Sequence, residues 1–264
     1  MAVRVYRLAC RHHFSTAFFL LFFVGGLFVA RLAAEDAATK RPTTVFAVAL
    51  ADDDKEGAKA AAAEARNKQK TTNNMKRIML AMLNYHDTFN KLPAAYSGTA
   101  EKPLLSWRVA LLPYLEQQAL YNDFHRDEPW DSEYNKALVA KMPDVYRAPT
   151  SVLKDGRTVY VTPRGDNTSF PGGKNIGLAH ITDGTSNTIA VVEVDDAAAV
   201  PWTKPDDWKF EPQDPKAELG GHYLGGFHAA LCDGSVHFIA DTIAEPTLTA
   251  LFTRNGGEPV RLPD

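Results

Sequence analysis

Apolar residues in TTNNMKRIMLAMLNYHDTFNKLP recur at intervals of three and four. Met75, Ile78, Met79, Met82 and Phe89 form the stripe of a helix laid on a core, and Pro93 marks its end. His86, four positions after Met82, falls on that stripe and reads as a packed core histidine. SWRVALLPYLEQQALYNDF predicts a second amphipathic helix, kinked or restarted at Pro113. Asp131 or Ser132 caps a third in DSEYNKALVAKM, which stops before Pro143. Trp107 and Trp130 are expected as core anchors.

After residue 145 the period changes to that of strands: TVYVT, then HITDGTSNTIAVVEV around an Asp183-Gly184 turn, then GGFHAALCDGSVHFIA. A two-residue turn at Asp233-Gly234 would set Leu231 opposite Val236 and Ala229 opposite Phe238. One face of that hairpin is then apolar, and the other carries His228, Cys232 and His237, with the two histidines as diagonal neighbours. AEPTLTALFTRNGG predicts a short C-terminal helix, with Pro246 near its first turn and Asn255-Gly256 at its end. Helices first and strands later describe an α+β fold, with an amphipathic helix packed on a mainly antiparallel sheet.

The N-terminus has a different pattern. Arg4, Arg7 and Arg11 precede FSTAFFLLFFVGGLFVA, residues 14–30, a run without a charge. Residues 1–31 are therefore expected to be a signal peptide or a signal-anchor helix, with everything after them outside the cytoplasm. Ala49-Leu50-Ala51 fits a distant cleavage site, and cleaved or uncleaved both remain open. Residues 32–71 read as an acidic linker, with Asp52–Asp54 as N-terminal charge for a later helix. KEGAKAAAAEARNKQK follows, either an exposed helical stalk or frayed. Residues 72–264 are left as one domain.

Of the 264 residues, 45% are hydrophobic and 23% charged, and the net charge is −3. No basic field attracts nucleic acid. Cys10 lies ahead of the apolar run, so Cys232 is the only cysteine in the remainder and makes no intrachain disulfide. As a nucleophile it would need His228 or His237 as base, but no helix starts behind it to lower its pKa. A zinc site wants three or four ligands, and His222 is only loosely placed beside His228 and His237. No metalloprotease, Walker or dinucleotide motif appears, and the acidic turns at Asp183 and Asp206-Asp207 lack EF-hand spacing. No catalytic residue, metal or cofactor is expected.

Five ordered blocks resemble a bacterial family called domain of unknown function 1559, sometimes labelled an extracellular solute-binding family. They are NNMKRIMLAMLNYHDTFNKLPAA, SWRVALLPYLEQQALYNDFHRDEPWDSEYNKAL, ITDGTSNTIAVVE, VPWTKPDDW and GGFHAALCDGSVHFI, across about residues 70–264. The resemblance implies a pilin-like, cell-surface or periplasmic α+β module of unassigned role. It implies family-motif positions at His86, Asp87, Trp107, Asp183, Gly184, Asp233 and Gly234, all structural, and no catalytic residues. Members often carry a G-F-T-L-x-E leader, absent here, and a terminal histidine whose place is taken here by Tyr223, with His222 one position off.

The leading expectation is an exported, non-enzymatic structural or interaction module. Its partners would be the membrane, through residues 14–30 if uncleaved, and other envelope proteins or itself. The alternative is an extracellular solute- or glycan-binding module using Trp202 and Trp208 as exposed aromatics, with His228 and His237 as further candidates. A metal-dependent hydrolase is the remote reading.

Overall fold

The computed structural model describes residues 43–258 together with Val260 and Leu262, with side chains from Lys55 onward. The apolar run 14–30, Cys10 and the first part of the connector lie outside those residues. Among the described residues no helix is long and apolar enough to cross a membrane. The chain divides into two compact units, Met1–Leu50 and Ala51–Asp264, and every strand among the described residues lies in the second.

Helix α1 runs Thr43–Phe89, 47 residues. It begins inside the expected linker, so Asp52–Asp54 lie within the helix instead of capping a later one. The reason is local: no proline interrupts residues 43–75, and the alanines of the stretch are the strongest helix formers. The alanine-rich stretch is helical, with residues 55–62 all exposed. From Thr71 the helix turns inward, and Met75, Ile78, Met79 and Met82 are completely buried, as their spacing requires. Phe89 departs from the expected stripe. It is half exposed in the last turn and rests on Tyr85, ring centroids 4.5 Å apart. Asn90, at φ 55°, ends the helix in the left-handed conformation and donates its amide to His86 O.

The strands β1 (Tyr96–Gly98) and β2 (Pro103–Ser106) form a hairpin that leads into α2 (Trp107–Ala110). The expected second helix breaks into α2, a 3₁₀ turn at Leu112–Leu115 and α3 (Gln118–Asp123). Pro113 cannot donate to the preceding turn and Glu116 takes φ 62°, so the chain restarts instead of kinking. Ser132, not Asp131, caps α4 (Glu133–Leu138) by accepting from the Asn135 amide at 3.2 Å.

TVYVT contributes the short strands β3 (Arg157–Thr158) and β4 (Tyr160–Val161), followed by β5 (Pro163–Arg164). The segment before Thr188 is not extended as expected: 3₁₀ turns at Leu178–His180 and Thr185–Asn187 flank Asp183-Gly184, and only β6 (Ile189–Glu193) is a strand. Asp183 explains the difference. Its carboxylate accepts the Gly256 and Gly257 amides at 2.6 and 2.9 Å, which ties this turn to the C-terminal tail instead of to a neighbouring strand. The chain continues through β7 (Val200–Pro201), β8 (Trp208–Lys209), β9 (Gly226–Leu231), β10 (Val236–Ala240) and α5 (Glu245–Phe252).

Strands β10-β9-β6-β4 make a four-stranded antiparallel sheet, β1–β2 and β3–β7 are antiparallel pairs, and β5–β8 is parallel. The fold is α+β. Every residue of β6 and β9 is buried, which in antiparallel strands demands cover on both faces.

The β9–β10 hairpin is shifted by one residue from expectation. Val236 faces Ala230 and Phe238 faces His228. The loop has three residues, Cys232-Asp233-Gly234, closed by Gly234 N to Leu231 O at 3.0 Å and Leu231 N to Ser235 O at 2.9 Å. Gly234 sits at φ 92°, and Asp233 holds the Ser235 amide and hydroxyl at 2.8 and 2.7 Å. Such a turn followed by a left-handed residue is the common three-residue hairpin loop. A one-residue shift turns all of β10 over. His237 therefore lies on the face of Phe227 and Ala229, opposite to His228, and the expected histidine pair does not form.

Candidate functional site

The same shift builds a row of large side chains across one face of the sheet. Tyr160 pairs with Glu193, Glu193 lies beside His228, and His228 pairs with Phe238. Glu193 Oε2 is 3.1 Å from His228 Nδ1 and 3.4 Å from the His228 amide, with both side chains buried. Tyr223 and Phe238 stand edge-on to the His228 ring at 5.0 and 5.1 Å. Helix α1 closes the row from above. The Thr71 hydroxyl lies 2.9 Å from the Tyr223 hydroxyl and accepts from Tyr160 at 3.3 Å, and Lys68 Nζ sits 4.4 Å over the Phe238 ring. Burial pushes the Tyr160 and Tyr223 hydroxyls up, with Glu193 adding to the effect, so both stay protonated.

His228 and Glu193 have the relation of a base and its orienting acid, but among the described residues no serine or cysteine is hydrogen-bonded to them. Cys232 is completely buried in the hairpin loop, and burial reinforced by Asp233 pushes its thiol up, which leaves it a poor nucleophile. His237 is exposed and bonds the Ser235 hydroxyl at 3.1 Å, while His222 Nε2 lies 3.1 Å from Val194 O. The three histidines considered together in the sequence thus have three separate partners. Among the described residues no group of three or more His, Cys, Asp or Glu side chains is placed to hold a metal ion.

Trp202 and Trp208 are not the exposed aromatics the sequence suggested. Trp202 is fully buried, stacks on Tyr146 at 5.9 Å and donates to Val139 O at 2.9 Å. Trp208 packs on Phe252 at 5.0 Å and donates to Ala217 O at 3.1 Å. The loop that carries them folds inward because Asp207, between the two, is the acceptor for a buried cation. Asp207 Oδ1 takes Arg108 Nη2 at 2.7 Å and the Thr162 amide at 3.0 Å, and Trp107 Nε1 lies 3.1 and 3.2 Å from its two oxygens.

The positions singled out by the resemblance make the following contacts. His86 Nε2 accepts the Leu178 amide at 3.3 Å, next to an exposed Asp87. Trp107 is held by Asp207, and Asp183 and Asp233 hold the backbone groups described above. Gly184 and Gly234 take positive φ, 98° and 92°. Glu193, Tyr160, Arg108 and Asp207 were missed in the sequence. The signal for Glu193 was a lone acid inside the apolar run IAVVEV.

A cleft of about 310 Å³ opens where the end of α1 meets the β1–β2 hairpin, α2 and α3, and it is lined by Tyr85, Lys91, Tyr96, Trp107, Tyr121 and Arg126 among others. Sequence reasoning missed it because its walls come from separate segments.

No curated protein and no solved structure is detectably similar to the chain. A family match covers the latter part of α1, the cleft apart from Asn175, and the Arg108 side of the buried ion pair. By that match residues 60–173 are similar to the family described as a protein of unknown function (DUF1559).

Proposed function

We propose that the protein is a non-enzymatic module of the cell envelope, exported by its N-terminal segment, in which an α+β head serves a structural or interaction role. The observation that carries the reading is the use made of the groups with the most chemistry. Glu193, His228, Tyr160, Tyr223 and Thr71 are buried between α1 and the sheet, where Glu193 bonds His228 and Thr71 bonds both tyrosines. Groups arranged in this way fix a helix on a sheet, a division of labour that resembles a pilin. The three arginines ahead of residues 14–30 support export.

The test is to express the full-length chain in a bacterial host, fractionate the cells and determine the N-terminus by mass spectrometry. Recovery in the membrane, or outside the cytoplasm with residues 1–31 removed, is the expected result. A soluble cytosolic product with an intact N-terminus would overturn the reading.

A further inference from the structure

The cleft beside α1 has the chemistry of a ligand site. Tyr85, Tyr96, Tyr121 and Trp107 give it four aromatic rings from four different elements, and Lys91 and Arg126 give it two cations. No Asp or Glu lines it. Among the described residues neither cation has a carboxylate partner, and the hydroxyls of Tyr85, Tyr96 and Tyr121 make no hydrogen bond. Two cations without a carboxylate partner and three phenol hydroxyls without a hydrogen bond, among the described residues, converge on one concavity.

The walls are held in place from behind. Trp107 is bonded through Nε1 to the buried Asp207. The Arg126 guanidinium lies 4.8 Å over the Tyr121 ring, and that of Arg164 5.3 Å over Tyr96. The Tyr96 hydroxyl comes so near Gly173 that a Cβ there would stand 2.8 Å from it, so the ring needs a glycine beneath it. A rigid aromatic wall with a small number of fixed polar groups is what small-molecule sites generally present.

From this we infer that the cleft binds a small acidic sugar, a uronate of monosaccharide size. Ring faces take the C–H faces of a sugar, the phenol hydroxyls match its hydroxyls, and two cations without a facing acid select a carboxylate. The volume is at the lower end of the range for ligand sites, which suits one sugar ring and not a long oligomer. The inference goes beyond the structural role proposed above and does not depend on it.

The test is calorimetric titration of the full-length protein with galacturonate and glucuronate, set against galactose, glucose and benzoate. Saturable binding of a uronate is expected, with the neutral hexoses and benzoate weaker. Lys91→Gln and Arg126→Gln should each weaken uronate binding about three- to tenfold, the range for a partly exposed charged hydrogen bond. Lys91→Gln should not move the melting temperature, because that side chain has no acid partner to lose, and Arg126→Gln should lower it only slightly, through the lost contact with the Tyr121 ring. Absence of saturable uronate binding, equal affinity for galactose, tighter binding of benzoate, or a double variant that binds like the native protein would each overturn the assignment.

Discussion

Arg108 Nη2 donates to Asp207 Oδ1 at 2.7 Å, and neither side chain is exposed to solvent. The guanidinium also donates to Tyr160 O at 3.2 and 2.8 Å and to the Ser106 hydroxyl at 2.9 Å. Helix α2, strand β4 and the loop before β8 therefore meet at one ion pair. Asp207→Ala leaves that cation buried and unpaired, which typically costs about 3–5 kcal/mol. Urea unfolding should show a loss of that order, and a loss below about 1 kcal/mol would remove the pair from the determinants of the fold.

Burial pushes the Asp207 carboxyl up, against the opposing pull of Arg108, the Thr162 amide, Arg164 and Trp107. The folded protein then holds this proton to higher pH than the unfolded chain does. With more protons bound in the folded state, stability from this site falls as pH rises from the ordinary carboxylate value through the raised one. Asp207→Asn does not titrate, so the margin of native protein over variant should be largest in acid and narrow toward neutral pH. Urea midpoints of both proteins across that range test it, and a margin that widens toward neutral would reverse the sign.

Among the described residues Thr71 is the α1 side chain that hydrogen-bonds both Tyr160 and Tyr223. Thr71→Val keeps the shape and strands two buried phenol hydroxyls, at about 1–3 kcal/mol. The loss should appear in the unfolding free energy of the head, and a neutral effect would mean that these two hydroxyl contacts do not help to hold α1.

Cys232 should resist alkylation in the native protein near neutral pH, since burial and Asp233 keep its thiol protonated. Iodoacetamide followed by peptide mass spectrometry should find residue 232 unmodified until denaturant is added. Labelling of the folded protein would contradict the sealed loop.

Gly234 closes the hairpin loop at φ 92°, a conformation that strains other residues, and an added Cβ would come to 3.4 Å from Leu83 Cδ1. Gly234→Ala should destabilise by about 1–3 kcal/mol. Thermal unfolding would record it, and an unchanged midpoint would mean that the loop takes another form.

What could be read in the sequence was whatever depends on neighbours in the chain. The stripe from Met75 to Met82 and the cap of α4 come from spacing and from a side chain reaching its own backbone, and both were legible. The polar row was not, because it depends on register. Whether His228 meets His237 or Phe238 turns on a single residue in the loop, and an Asp-Gly pair permits either loop length. Asp207 was read as part of an ordinary turn, since nothing local reveals that Arg108, 99 positions earlier in the chain, waits beneath it. Trp202 and Trp208 went inward with it. The cleft combines residues from 85 to 175, and no window of the sequence contains it.

From Lys55 to Phe89 helix α1 is made of two materials. From Thr71 onward it is clamped, and it can unwind only when the head does. Residues 55–62 are all exposed, so their helicity rests on local terms, alanine propensity and the Glu56–Lys59 ion pair among them, and a helix of that kind is an equilibrium that shifts with temperature and length. A turn that melts there lengthens from about 1.5 Å to about 3.3 Å per residue. Residues 55–62 therefore form a stretch of adjustable contour, which can lengthen with temperature while the contacts from Lys68 onward stay in place.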